Sequence, residues 1–323
     1  VALTVGGNID NNGTICNAGG YYLTVNGAGN LFNNGSWTNY STRLDSPNPQ
    51  IIHFPQEHPF QGSYFYDLNG NSEVQTDADL WFINTITIDS NYSVWRLDLG
   101  NWDLHLDNCN IIETNIHSTE ACVLNAINGG YLSNCSLQSI TLEGTVNFAS
   151  STTVSGNLIN NGTMQNTGAS VTVSVSGSLT NHSTIRNNGG YYLYLNVGGN
   201  AVNYGIWSNY TLTLTGATDQ MVHFPSGHGF TGANFNDSNV ASVITTAADL
   251  YFTNSSIDLN SSPLQLFGGH DLYLDNSMLH DAPVQSDEST LLSMSNGGYL
   301  NNCSFQSISM TGTVSLLSST TIT

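Results

Sequence analysis

The sequence predicts an all-β protein, specifically a right-handed parallel β-helix of roughly 14 coils. Three observations support this fold class. Charged residues make up only 8% of the 323 residues. Asn, Ser, Thr and Gly are abundant instead, whereas surface helices draw on Lys, Glu and Arg. The chain also repeats itself, at one long period and one short period.

The long period covers about half of the chain. NNGTICNAGGYYLTV, which begins at Asn11, matches NHSTIRNNGGYYLYL, which begins at Asn181, and GGYLSNC later matches GGYLNNC. The chain is therefore interpreted as two tandem copies within one continuous solenoid. The first long repeat covers residues 1–155, a bridging coil covers residues 156–170, and the second long repeat covers residues 171–323.

The short period sets the architecture. VSGNLINNGTMQNTG begins at Val154, and the similar VSGSLTNHSTIRNNG begins at Val175. A unit of this length cannot bury its own core and must stack on its neighbours. Strands of one coil would pair with those of the next at about 4.8 Å, with Asn and Gly at the turns. The coil length favours right-handed winding.

Six segments of the type DLWFIN, DLHLDN or GGYLSN align in columns, and strand alternation assigns each column a face. The apolar column, predicted to point inward, is Phe82, Leu106, Leu132, Phe252, Leu274 and Leu300. The outward column, a candidate glycan or lateral contact, is Trp81, His105, Tyr131, Tyr251, Tyr273 and Tyr299. The column that ends the strands, predicted to form an asparagine ladder, is Asn84, Asn108, Asn134, Asn254, Asn276 and Asn302.

A column of small residues follows, and it contains three of the five cysteines. Its members are Thr85, Cys109, Cys135, Ser255, Ser277 and Cys303. In successive coils, Cys109 and Cys135 would have Cα atoms about 5 Å apart, which is compatible with a disulfide. Serine replaces the first of them in the second copy, so we prefer a stack of inert small residues.

The charge balance restricts the partners. The net charge is −20, with 23 acidic residues against three arginines. Binding to nucleic acid or to an anionic membrane requires a basic surface, so both are excluded. No apolar run is long enough to span a bilayer, so membrane insertion is not expected. Self-association, glycans and calcium remain compatible partners.

An enzymatic reading depends on acidic residues that share one outward face. Asp103, His105 and Asp107 alternate along one strand, and Asp271 and Asp275 recur in the second copy. Many right-handed β-helix proteins cleave acidic glycans with such carboxylates and a basic residue. The arginines do not recur between the copies, so we interpret these aspartates as solvated and assign no catalytic residue.

Two other patterns resemble metal sites. HFPQEHPF, with His53 and His58, recurs as HFPSGHGF, but Gly replaces Glu57, the third possible ligand. A loop anchored by its phenylalanines is the preferred interpretation. DLNGNSEVQTD, from Asp67, has part of a calcium-loop pattern but lacks Gly at its sixth position, so a polar turn is preferred. No metal or cofactor is predicted, and calcium binding stays open.

GNLINNGT, GNLFNNGS and TLTLTGATDQMVHF resemble coils of large secreted bacterial repeat proteins, such as filamentous haemagglutinin-like adhesins. The resemblance implies a non-catalytic role outside the cell or on its surface. We therefore expect a fibre or filament subunit, or an adhesin stalk, that assembles end to end or laterally. Val1 aligns with Val171 and Thr323 with Ser155, which favours end-to-end stacking or excision from a longer array. A glycan-binding module, or a polysaccharide lyase or hydrolase, is the alternative.

Overall fold

A computed structural model describes residues 1–69, 72–89, 96–118, 122–287 and 290–323. Within these ranges the chain is all-β, without a helix, and it winds as a parallel β-solenoid of about 15 turns. This confirms the predicted all-β parallel β-solenoid, and the right-handed winding stays a prediction. The chain divides into two compact units, unit 1 (Val1–Ser155) and unit 2 (Gly156–Thr323).

Most strands of unit 1 are short, since most coils contribute only a few residues to each face before they turn. They are β1 (Ala2–Val5), β2 (Ile9–Asn11), β3 (Thr14–Cys16), β4 (Thr24–Gly27), β5 (Leu31–Asn33), β6 (Ser36–Thr38), β7 (Ser41–Leu44), β8 (Gln50–His53), β9 (Tyr64–Asp67), β10 (Glu73–Thr76), β11 (Leu80–Ile83), β12 (Thr87–Asp89), β13 (Arg96–Asp98), β14 (Leu104–Asp107), β15 (Cys109–Ile112), β16 (Asn115–His117), β17 (Cys122–Ser133), β18 (Ser136–Phe148) and β19 (Thr152–Asn160), in which the boundary falls.

Unit 2 has the same construction. Its strands are β20 (Thr163–Asn166), β21 (Val171–Val175), β22 (Leu179–Asn181), β23 (Thr184–Arg186), β24 (Leu193–Val197), β25 (Ala201–Asn203), β26 (Ile206–Ser208), β27 (Thr211–Leu214), β28 (Gln220–His223), β29 (Asn234–Asp237), β30 (Ile244–Thr246), β31 (Leu250–Thr253), β32 (Ser256–Asp258), β33 (Leu264–Gln265), β34 (Leu272–Asp275), β35 (Ser277–His280), β36 (Pro283–Gln285), β37 (Thr290–Asn301), β38 (Ser304–Phe305), β39 (Ile308–Leu316) and β40 (Thr321–Ile322).

The interior of each unit is a stack of apolar side chains. In unit 1, Phe82 packs against Phe54, Phe60 and Phe65 with ring centroids 5.4 to 6.2 Å apart. Phe252 packs in the same way in unit 2, against Phe224, Phe230 and Phe235. The predicted inward column is buried throughout, at Phe82, Leu106, Leu132, Phe252, Leu274 and Leu300.

Buried asparagines hold the turns of successive coils together. In unit 2, Asn160 Nδ2 donates to Asn181 Oδ1, and Asn181 Nδ2 donates to Asn203 Oδ1, each over 2.7 Å. In unit 1, Asn11 Nδ2 donates to Asn33 Oδ1 over 2.7 Å. A buried turn must satisfy its polar backbone groups, and these amides also bond main-chain carbonyls.

Candidate functional site

Two aromatic side chains stack on the outward face of unit 1. β11 pairs in parallel with β14, which places Trp81 directly opposite His105. Their ring centroids are 3.9 Å apart, and the ring planes differ by 8°. We call Trp81 and His105 the unit 1 ring pair. Strand alternation turns both side chains outward, because Leu80, Phe82, Leu104 and Leu106 on either side are buried.

Two aspartates stand beside this ring pair, one at the start of each strand. The backbone N–H of Asp103 donates to Asp79 Oδ1 over 3.0 Å, and that of Val123 donates to Asp103 Oδ1 over 2.9 Å. Each carboxylate therefore accepts a bond from the next coil and is fixed by it. A carboxylate oxygen from each aspartate and an imidazole nitrogen of His105 lie within 4.8 Å of one another.

The imidazole of His105 has a buried nitrogen. Its Nδ1 is shielded from solvent and makes no hydrogen bond within the described part of the chain. Burial lowers the pKa of His105, although Asp79, Asp103 and Glu143 act in the opposite direction. The ring is therefore neutral at pH 7, so one of its nitrogens carries a free lone pair.

Unit 2 repeats the arrangement with different rings. Tyr251 lies opposite Tyr273, with centroids 4.2 Å apart and planes 2° from parallel. We call them the unit 2 ring pair. Asp271 N donates to Asp249 Oδ1 over 2.9 Å, and Leu291 N donates to Asp271 Oδ1 over 2.8 Å. Burial, the neighbouring Tyr251 and the two aspartates raise the pKa of Tyr273 to about 12.

The six residues of the predicted outward column do not all lie in register on one face. The residue opposite His105 in the next coil is Asn125, and Tyr131 lies opposite Asn110 instead. Likewise, Ser293 lies opposite Tyr273 in unit 2. The long strands β17 and β37 each run along two faces of the coil, so the GGYL motifs at their ends belong to a different face from DLHL and DLYL.

Tyr131 and Tyr299 are thus separate from the ring pairs. Both are exposed, and Tyr299 lies opposite Met278. Tyr131 lines a surface cleft of about 320 Å³ together with Asn110 and Ala149. The six predicted contact residues therefore form two pairs and two single tyrosines, rather than one continuous surface.

The predicted asparagine column is also interrupted after its first two members in each unit. Asn108 donates to Asn84, over 3.0 Å, and Asn276 donates to Asn254, over 2.7 Å, so each unit has one exposed rung. All six predicted asparagines adopt a left-handed backbone, with φ between 48° and 55°. Asparagine tolerates this conformation at a turn better than most residues do. The six members are Asn84, Asn108, Asn134, Asn254, Asn276 and Asn302.

Asn134 and Asn302 do not continue these rungs. Asn134 Oδ1 accepts a hydrogen bond from Ser150 Oγ over 2.9 Å, and Asn302 Nδ2 donates to Asp281. The alignment also missed the buried rungs through Asn181. The offsets of 21 and 22 residues at which these buried asparagines bond reveal them, because INN, TNH and VNY align at that spacing.

The predicted column of small residues is buried but is likewise not continuous. Cys109 lies opposite Gly130, whereas Cys135 lies beside Thr114, so the two thiols are not in register. The five cysteines are free, and the disulfide is not formed. Burial raises the pKa of the Cys109 and Cys135 thiols to about 11 each, so both are protonated and unreactive at pH 7.

The histidine pairs bond to different groups. His53 Nδ1 lies 2.6 Å from Asp77 Oδ1, while His58 Nδ1 lies 3.2 Å from the Gly35 carbonyl oxygen. His228 Nδ1 has the same contact with the carbonyl of Gly205 in unit 2. The phenylalanines of these loops are buried, in agreement with the loop-anchor interpretation.

The described residues of the loop from Asp67 make polar contacts with one another. Asp67 is buried and accepts hydrogen bonds from Asn69 N and from Ser72 Oγ, over 2.9 and 2.7 Å. Asn71, one of the possible calcium ligands, lies outside the described residues. Burial raises the pKa of Asp67 to about 6, and the two hydrogen bonds act against that shift.

Two arginines are engaged in contacts within the chain. Arg96 forms ion pairs with Glu73 and Asp98, and Arg186 Nε donates to Gln165 Oε1. The aspartates Asp107 and Asp275 of the enzymatic reading lie at the ends of β14 and β34. These contacts give Arg96 and Arg186 structural partners.

Tyrosines of successive coils form a further aromatic surface that the six aligned segments did not include, and Tyr22 and Tyr192 are exposed on it. Tyr22, Tyr40 and Tyr64 come from successive coils of unit 1, with ring centroids 4.4 and 5.0 Å apart. In unit 2, Tyr192 lies 4.0 Å from Tyr210. The repeated GGYYL motif is the sequence signal for this surface.

No family model, curated protein or solved structure matches the chain. Within the described residues, no helix has the length and apolar character needed to cross a membrane. The functional proposals below therefore rest on the geometry described above.

Proposed function

We propose that this chain is a non-catalytic extracellular structural protein, a fibre or filament subunit or an adhesin stalk, whose solenoids associate end to end or laterally. One observation carries the proposal. The features that recur in both units are coil-stacking contacts and exposed tyrosines, whereas the most chemically distinctive outward group, His105, is replaced by tyrosine in unit 2.

The exposed tyrosines favour the lateral contact. Tyr21 and Tyr22 are 72% and 64% exposed, and the matching Tyr191 and Tyr192 are 45% and 44% exposed. Aromatic side chains contribute large contact areas and are enriched at protein interfaces. Because the same pair occurs once in each unit, one chain offers two equivalent contacts, and association through both would gain avidity.

The proposal includes an extracellular location and a likeness to secreted bacterial adhesins. The coils GNLINNGT and GNLFNNGS resemble those of secreted filamentous haemagglutinin-like adhesins, in which right-handed β-helices act as surface stalks. The low content of charged residues and the Asn-rich turns suit a long solenoid whose coils stack through uncharged rungs.

Sedimentation velocity over a range of concentrations tests the proposal. We expect the wild-type chain to form larger species as concentration rises. A variant with Tyr21, Tyr22, Tyr191 and Tyr192 each changed to Ser should remain monomeric at concentrations at which the wild type associates.

A second variant controls for the general loss of exposed rings. Tyr131→Ser combined with Tyr299→Ser removes two exposed tyrosines elsewhere and should associate as the wild type does. A wild-type chain that stays monomeric up to about 1 mM, where even weak protein contacts form, would rule out self-association.

Glycan binding is the second candidate, and the ring pairs favour it. Sugar rings pack against aromatic side chains, and carboxylates bind sugar hydroxyls. Asp103 beside His105, and Asp271 beside Tyr273, provide both groups on one face. A screen of polysaccharides with calcium would test binding and cleavage together. Turnover of a polymer that Asp103→Ala or Asp271→Ala abolishes would replace the structural proposal with an enzymatic one.

A further inference from the structure

We propose that Asp79, Asp103 and His105 bind a divalent transition-metal ion of the zinc class. Each side chain offers one ligand atom, and the three atoms lie within 4.8 Å of one another. Within the described ranges, this is the one place where three potential ligands from His, Cys, Asp or Glu meet so closely. The inference does not depend on the proposed structural function.

The carboxylates are oriented before any ion arrives. Asp79 and Asp103 each use Oδ1 to accept a backbone N–H from the next coil, over 3.0 and 2.9 Å. These bonds leave the second oxygen of each carboxylate available as a ligand. Hydrogen bonds that fix ligating side chains raise metal affinity by reducing the ordering that binding requires.

The third residue, His105, offers one imidazole nitrogen to this group. His105 Nδ1 is buried and has no hydrogen-bond partner in the described structure, which is costly for a polar atom. The Trp81 ring, stacked at 3.9 Å, holds the imidazole plane in place.

The donor set selects the class of metal. One nitrogen and two carboxylate oxygens suit Zn²⁺ and its neighbours, whereas Ca²⁺ requires six to eight oxygen ligands. Ligands of a tetrahedral zinc ion are about 3.4 Å apart, so shifts of about 1 Å would close this group around an ion. Asp79 is exposed, so solvent rather than packed side chains lies beside it where such a shift is needed. Water would fill the remaining position.

Unit 2 provides a natural control on the same chain. Asp249 and Asp271 make the same backbone bonds as Asp79 and Asp103, but tyrosine occupies the position of His105. Tyr273 donates to Asp271 Oδ2 over 3.4 Å, so the ring bonds the carboxylate where His105 would share an ion. Unit 2 thus has Tyr273 in place of His105, and it places His270 Nδ1 3.8 Å from Asp249 Oδ1, where unit 1 has Trp102 at the aligned position.

The test is a calorimetric titration of the full chain with zinc chloride after chelator treatment. We expect one zinc ion per chain at the site. His105→Tyr should lower the affinity at least tenfold, and it copies the stacked ring of unit 2, so the coil should remain folded. Asp79→Asn should also lower the affinity at least tenfold, since its amide oxygen can still accept the Asp103 N–H.

A matched substitution in unit 2, Tyr273→Phe, should leave the zinc affinity unchanged. If His105→Tyr proves unfolded by circular dichroism, Asp79→Asn decides, because it alters an exposed side chain. A wild-type chain that binds no zinc, or binding that both unit 1 variants retain, would overturn the proposal.

Discussion

The unit 1 and unit 2 ring pairs share a scaffold and differ in chemistry. Trp81 on His105 and Tyr251 on Tyr273 stack at almost the same distance, 3.9 and 4.2 Å. The aspartates beside them make the same backbone bonds. Coil stacking at this position thus accommodates either ring pair. The same solenoid coil can therefore present an imidazole in one unit and a phenol in the other.

The largest expected effect is on stability, and it concerns the buried phenylalanine cluster that each unit contains. Phe82→Ala and Phe252→Ala should each lower the free energy of unfolding by about 3 to 5 kcal/mol, because each leaves a cavity among three other phenylalanines. Chemical denaturation followed by circular dichroism measures both. A difference of more than about 2 kcal/mol between the variants would show that the two interiors are not equivalent.

The next effect concerns a buried carboxylate in unit 1. The pKa of Asp67 is about 6 in the folded chain against an ordinary value of 3.8. The folded chain therefore binds a proton more tightly than the unfolded chain, and stability falls as the pH rises from about 4 to 6. Asp67→Asn should remove this loss and stabilise the chain by roughly 2 to 3 kcal/mol at pH 7.

Melting temperatures at pH 4 and pH 7 measure this change. The variant and the wild type should agree at pH 4 and diverge at pH 7. A variant that follows the wild-type pH profile would show that Asp67 titrates near its ordinary pKa.

Replacing Tyr273 with histidine tests whether this one side chain decides which unit binds zinc. Tyr273→His places an imidazole beside Asp249 and Asp271, so unit 2 should gain a zinc site with affinity at least tenfold above its wild-type level. Calorimetry should then find a second zinc equivalent. A chain that still binds one equivalent would indicate that the ring alone does not decide metal binding.

The smallest effect belongs to the exposed asparagine rungs. Asn108→Ala and Asn276→Ala each break one exposed amide bond and place alanine at a left-handed turn. Each should cost about 1 kcal/mol. Replacement by Gly, which adopts that backbone freely, should recover part of the loss, and thermal melting separates the two contributions.

Composition and repeats were sufficient to predict the fold class, because each coil must stack on a similar coil. The inward column was also predictable, since strand alternation places Phe82 and Leu106 on the same side. The register of the columns was not, because GGYL and DLHL have similar spacing but lie on different faces of the coil.

Two of the three residues of the proposed zinc site were visible in the sequence. Asp103 and His105 alternate on one strand and were identified as sharing a face. Asp79 joins them because β11 and β14 pair without offset, which required the register of two coils. The buried nitrogen of His105 depends on packing that no motif records.

Electron microscopy of the purified chain tests the central claim, that this is a self-associating structural protein, most directly. At concentrations where sedimentation shows association, the wild type should form fibres or particles lying side by side, and the four-tyrosine variant should not. Single separate particles at every concentration, for the wild type and the variant alike, would contradict the account.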